Sequence, residues 1–185
     1  MNAKMLAVGL AMGLVMAVVI GRAEALTIPN SGSFSGSFVN TEIDTNGDGG
    51  KAALQMVDTK GTLGSSSIRG VNEFAFSAEA TCQNGNAGFE FTLVSGGPAQ
   101  FVQRFNSTGD LLFQKLTSST ECFDPTTGIN FFSAEGNFTG GTGKFAGATG
   151  SFTVEGTATV LFFDAAKGNF FGEESGTFTG TIITP

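Results

Sequence analysis

The sequence predicts an all-β chain, a single antiparallel β-barrel of about eight to ten strands behind an N-terminal leader. Three observations predict it. Apolar residues, phenylalanine above all, alternate with small or polar ones at a period of two, as in 74–77 and 89–93; this is the pattern of a half-buried strand. Clusters of Gly, Asn and Ser separate these runs at spacings of 8–20 residues. No segment after residue 25 carries a 3.6-residue apolar stripe over twelve or more positions, which argues against helices. Closing such strands into a ring leaves no exposed sheet edge.

The first element is the leader. Residues 1–4 form a short positive start, residues 5–20 an apolar run, and Ala23-Glu24-Ala25 a small-x-small site. Together they are the three parts of a secretory signal peptide cleaved before Leu26. The apolar run of 16 residues falls short of the roughly 20 that span a bilayer, so an uncleaved anchor is the competing reading. The expected product is residues 26–185, one domain of 160 residues, secreted or periplasmic and without a stable membrane span. Losing Lys4, Arg22 and Glu24 takes the 9 basic and 16 acidic residues of the whole chain to 7 and 15. A surface this acidic, with no basic cluster, repels phosphate backbones and excludes nucleic acid as a partner.

The remaining elements follow in order. Residues 26–32 read as a polar lead-in and 33–39 as the first Phe-bearing strand, with 40–50 a loop by composition. Residues 51–58 fit either a strand or one helical turn. Short strands are expected at 62–63 and 67–71, then the clear alternations at 74–77 and 89–93 around the turn pair Asn84-Gly85. Residues 101–105 and 111–116 continue the series, and 117–128 read as a loop holding Cys122 and Pro125. Strands over 130–139, 151–163 and 170–183 complete it. The only two cysteines, Cys82 and Cys122, are expected to pair in an oxidising compartment. Closing a loop of 40 residues stabilises by about 4 kcal/mol on the chain-entropy account.

Between the strands ending at 139 and beginning at 151 lies the run the chain turns around. Of its eleven residues, Gly140, Gly141, Gly143, Gly147 and Gly150 are glycine, and Phe145 is its one large side chain. It reads as a structured strand–turn–strand corner anchored by that ring. Gly140-Gly141-Thr142-Gly143-Lys144-Phe145, with Ala148-Thr149-Gly150 behind it, resembles the Gly-Gly-Thr-Gly-x-Phe segment of dirigent proteins and the related allene oxide cyclase barrels. The corner is also similar to that of exported bacterial all-β proteins of unassigned role. The resemblance covers about eleven residues and implies an eight-stranded barrel around an apolar cavity, in families of which some members steer or cyclise small hydrophobic molecules. Thr149 stands where the dirigent pattern usually has a basic residue, and the chain has no Tyr; no catalytic residue carries over.

Motifs that carry chemistry are few. Asp44, Asn46 and Asp48, followed by Gly49, match the start of a calcium loop, with Gln55 at the twelfth position where a Glu belongs. An exposed Asx turn is the alternative, and calcium is the only metal or cofactor the sequence suggests. With no His there is no imidazole base and no Ser-His-Asp triad. Glu173 and Glu174, adjacent on a strand, point to opposite faces and read as a solvated edge. Arg69 and Arg104 read as surface residues or as an anion clamp inside the barrel. The 20 Phe form a core, or line a dry cavity for a small apolar ligand, the one candidate partner. Two functions follow: a non-enzymatic structural module or carrier of such a ligand, and alternatively a cofactor-free cyclase or isomerase working by positioning.

Overall fold

A computed structural model describes residues 24–164 and 169–185. The leader expected over 1–25 therefore lies outside the described residues, apart from Glu24 and Ala25, as do residues 165–168. Nine antiparallel strands follow in chain order: β1 (Leu26–Asn40), β2 (Lys51–Gly61), β3 (Gly64–Thr81), β4 (Ala87–Leu93), β5 (Ala99–Phe105), β6 (Leu111–Asp124), β7 (Ile129–Gly141), β8 (Thr149–Asp164) and β9 (Asn169–Thr184). Among the described residues a single 3-10 turn, Gly143–Phe145, sits between β7 and β8. Among the described residues no helix is long and apolar enough to cross a membrane.

The strands form one sheet that closes on itself. Each neighbour in the order β2-β1-β9-β8-β7-β6-β4-β3-β5 is hydrogen-bonded, and β2–β3 and β5–β6 pairings complete the ring. Nine strands occupy eight positions, because β4 and β5 lie end to end between β3 and β6. The first half of β3 pairs with β5, Ser66 opposite Phe105, and its second half with β4, Phe74 opposite Leu93. β6 does the same on the other side, with Gln100 opposite Lys115 and Thr92 opposite Thr120. Every strand thus has partners on both sides over most of its length, which leaves little edge to invite pairing with other chains; the ends of β3 (75–81) and β8 (161–164) extend past one partner.

Three segments differ from the sequence expectation. β1 begins at Leu26 rather than after a lead-in: Pro29 and polar neighbours hide the alternation, but Asn30 faces inward with 3% exposure and β9 supplies a full partner strand. Residues 51–58 are strand, settled by pairing with β1 and β3 on either side. Residues 117–124 are not loop but the second half of β6. A register shift between Leu116 and Ser118 inserts a residue there, so the alternation changes phase and the sequence loses its period.

Inside the ring, phenylalanine is set against glycine. Phe34 stands directly opposite Gly176, Phe38 opposite Gly172, Phe132 opposite Gly156, Phe152 opposite Gly136 and Phe101 opposite Gly70. Each ring lies over the backbone of the strand beside it. A Cβ on Gly176 would come within 2.8 Å of Phe34 Cζ, and one on Gly156 within 2.7 Å of Phe132 Cζ. Packing this close tolerates no added methyl group, so Gly176→Ala is expected to cost about 1–3 kcal/mol in urea unfolding. The added carbon would also meet the Glu155 carbonyl oxygen of β8, so a loss below a few tenths of that would show that backbone and ring both give way.

One end of the ring is plugged. Phe145 has no exposed surface and packs on Phe105, ring centroids 4.7 Å apart, within a cluster that includes Leu112, Ala148 and Ile182. The glycines of the corner make that possible: Gly143 and Gly147 adopt φ of 55° and 70°, which folds the chain back so that Phe145 enters the lumen. Lys144 Nζ covers the same two rings at 5.2 and 4.9 Å. Beyond this plug a second cluster, Phe34, Val57 and Phe178, fills the next level.

The far end is tied by the Cys82–Cys122 disulfide, which joins the end of β3 to β6. Asp124, wholly buried, completes the tie. It accepts hydrogen bonds from the Asn84 and Asn86 side-chain amides, the Thr127 hydroxyl and the Thr126 amide, and these donors, Asn86 first, hold its carboxyl far below the usual range. Replacing both cysteines by serine is expected to lower stability by about 2–4 kcal/mol, read from the urea midpoint under non-reducing conditions. Equal midpoints would mean that Asp124 alone secures this end.

Candidate functional site

Between the two core clusters the ring keeps a cavity of about 80 Å³. Seven phenylalanines line it, Phe34, Phe74, Phe101, Phe132, Phe138, Phe152 and Phe178, together with Glu121, Glu174, Asn72, Gln103 and Gln114. Period-two alternation puts these groups there. On β9, Gly172, Glu174, Gly176 and Phe178 face inward while Glu173, Ser175 and Thr177 face out. Glu173 and Glu174 do point to opposite faces, but Glu174 is no part of a solvated edge: it is 6% exposed, inside the ring. Adjacent residues of like charge hide the difference between a strand's two faces.

Two polar side chains of the cavity wall, Gln103 and Gln114, satisfy one another and lead into a longer chain of hydrogen bonds. Gln114 Nε2 donates to Gln103 Oε1 at 2.8 Å, Gln103 Nε2 to Ser66 Oγ at 2.7 Å, and Ser66 bonds the Thr59 hydroxyl, a chain of side chains across β6, β5, β3 and β2. Two others are not satisfied. Glu174 Oε1 and Asn72 Oδ1 are buried without a hydrogen-bond partner, a condition that costs free energy and marks an unusual place in a fold. Asn130, on the same face of β7 as Phe132, donates to Glu121 Oε2 at 2.7 Å and leaves its own Oδ1 unpartnered.

The two carboxyls are held close to neutral. Burial pushes Glu121 up to about 7 against the opposing hydrogen bond from Asn130. Burial and then the charge of Glu121 push Glu174 up to about 8. At neutral pH the pair keeps at least part of its protons, so it can give or take one near physiological pH. No Lys or Arg lines the cavity. Arg69 is exposed and donates to the Val57 and Ile68 carbonyls, and Arg104 is exposed on β5; neither forms an interior clamp. A larger groove of about 550 Å³, bounded in part by Cys82, Glu90 and Cys122, shares Glu121 and Phe132 with the cavity.

The loop after β1 keeps Asp44 and Asp48 of the calcium pattern together and adds Glu73, which the pattern does not name. Asp44 accepts backbone N–H bonds from Asn46, Gly47, Asp48 and Gly49, and these donors, Gly49 first, hold its carboxyl below the usual range. Asn46 offers its amide to Asp48 Oδ2 at 2.7 Å. Gln55, in the twelfth position, is not in the loop at all: it lies on β2 and lines the interior cavity. In its place β3 brings the wholly buried Glu73, whose two oxygens accept from the Thr45 amide and hydroxyl. Asp44, Asp48 and Glu73 carry oxygens within 4.8 Å of one another. The donors on Asp44 and Glu73 account for the loop's shape.

No protein-family model matches the chain, and no curated protein matches it. Among solved structures, a pterocarpan synthase dirigent protein is similar over 88% of this chain and 87% of its own length, with a TM-score of 0.41 and 13% identity. The activity in that name is the neighbour's.

Sequence reasoning missed Glu121, Glu174, Asn72 and Asn130 as a group. Glu121 fell in a segment read as loop, and Glu174 behind the exposed Glu173. The available signal was the phase of β9: counted inward from Phe178, position 174 faces the lumen.

Proposed function

We propose that the protein is an exported carrier that holds one small, largely apolar molecule inside the strand ring. The observation that carries this reading is the ring-lined cavity with two partnerless polar atoms on its wall, Glu174 Oε1 and Asn72 Oδ1. A purely structural ring would be expected to fill that space or to pair those atoms. The volume suits a molecule of few heavy atoms, since an apolar cavity of about 150 Å³ already admits benzene. Export is supported by the leader pattern of residues 1–25 and agrees with the Cys82–Cys122 disulfide. Native mass spectrometry of the secreted protein tests both halves. The expected mass is that of residues 26–185 with one disulfide, plus a small adduct lost on denaturation; a bare mass, or one that includes residues 1–25, removes the corresponding half.

The two inward carboxyls, poised near neutrality, favour a second reading, cofactor-free cyclisation or isomerisation of a small hydrophobic substrate. One carboxyl would donate a proton and the other accept one. Returning the released molecule to fresh protein separates the two: a carrier gives it back unchanged, an enzyme converts it to an isomer of the same mass.

A further inference from the structure

We infer that the interior cavity recognises a small alkylammonium ion, its nitrogen at Glu174 and Glu121 and its hydrocarbon part among the phenylalanine rings. The inference rests on the carrier reading above and names the class of its ligand. Three features of the wall point the same way. The two orphaned atoms, Glu174 Oε1 and Asn72 Oδ1, are oxygens, and both are acceptors once Glu174 is ionised, while the Gln103 and Gln114 amides already donate within the protein. An ammonium group is a compact source of three donors and has no acceptor. Two acidic groups share the cavity with no basic side chain on its wall, and a buried charge needs an opposite one beside it. Seven aromatic rings offer the negative π faces that attract a cation, and the volume of about 80 Å³ admits a short chain only.

The proton balance follows from the carboxyls. In the empty cavity Glu174 holds its proton up to about pH 8 because burial and the Glu121 charge disfavour its anion. These two are the charged side chains on the wall: β9 contributes Glu174, β6 contributes Glu121, and Gly36 of β1 and Ala158 of β8 stand opposite Glu174. An entering ammonium keeps its own protons and stabilises the anion, so Glu174 releases a proton to solvent.

The test is calorimetry at pH 7 on the disulfide-bonded protein with ethylamine, ethanol and acetate, probes short enough for a cavity of about 80 Å³, in two buffers of different ionisation heat. Ethylamine is expected to bind at least about tenfold more tightly than ethanol, the scale of one charge-assisted hydrogen bond. Acetate is expected not to bind, and the buffer difference should show net proton release with the amine only. Glu174→Gln, which keeps the neutral shape of the side chain, should bring amine and alcohol within about twofold of each other. Ethanol binding as tightly as ethylamine, or amine binding without proton release, overturns the inference and leaves the carrier reading standing. Binding of none of the three overturns both.

Discussion

Phe145→Ala is expected to lower the stability of the ring by about 3–5 kcal/mol, the loss typical of a fully buried aromatic side chain. Phe145 is the one large side chain of the glycine-rich corner, and it has no exposed surface. Its removal opens a void against Phe105, Leu112 and Ile182, and the surrounding strands are paired on both sides and cannot collapse into it. Loss of the cation–π contact between Lys144 and the Phe145 ring adds about 0.5–1 kcal/mol, the scale for an exposed cation. Phe145→Leu, which keeps much of the volume, should cost well under half as much. Urea denaturation of the two variants checks the order. A loss below about 1 kcal/mol for the alanine variant would mean that the corner is an ordinary surface turn.

The second large effect is on the pH dependence of stability. Glu121 and Glu174 titrate near 7 and 8 in the folded protein, against 4.5 for a free carboxyl. Their folded-state values are raised, so between pH 4.5 and 8 the native chain binds more protons than the unfolded one. Stability therefore falls as pH rises through that window. At about 1.4 kcal/mol per unit, a carboxyl as buried as Glu174 costs several kcal/mol at pH 8 that it does not cost at pH 4.5. Asp44 and Asp124 are shifted the other way; their contributions are lost only on acidification below about pH 4, outside the window. Glu174→Gln keeps the neutral shape and removes the titration. It should leave the melting temperature near pH 4.5 almost unchanged and raise it at pH 8, by the equivalent of about 2–4 kcal/mol. A parent profile that is flat or rising from pH 5 to 8, or a variant profile parallel to it, would refute the assignment of Glu174 to the ring interior.

Strand identity was legible wherever a ring alternates with a small residue, as at Phe74 and Phe76 or from Phe152 to Val154. Closure was legible too, through the number of strands. What escaped was phase. The bulge at Leu116–Ser118 and the doublet Glu173-Glu174 both turn on which face a residue takes, and a one-residue slip reverses every face that follows. The disulfide was legible because two cysteines admit one pairing. The sharing of one ring position by β4 and β5 was not, since it depends on β3 and β6 being long enough to pair with two strands in succession. The calcium pattern at Asp44, Asn46 and Asp48 was readable as letters, yet the buried Glu73 comes from 25 residues beyond Asp48, and no local motif announces it.

The pairing of β1 with β9, Leu26 against Thr184 and onward through Asn40 against Phe170, has a consequence for biogenesis. The seam that seals the sheet joins β1 to β9, so synthesis must deliver residues 169–184 before the structure can lock. Until then β1 and β8 each present a bare row of amides and carbonyls to any neighbouring chain. A ribosome-released fragment stopping before Asn169 should therefore be sticky and protease-sensitive, and the period between emergence of Asn40 and arrival of Thr184 is when a holding chaperone would matter most.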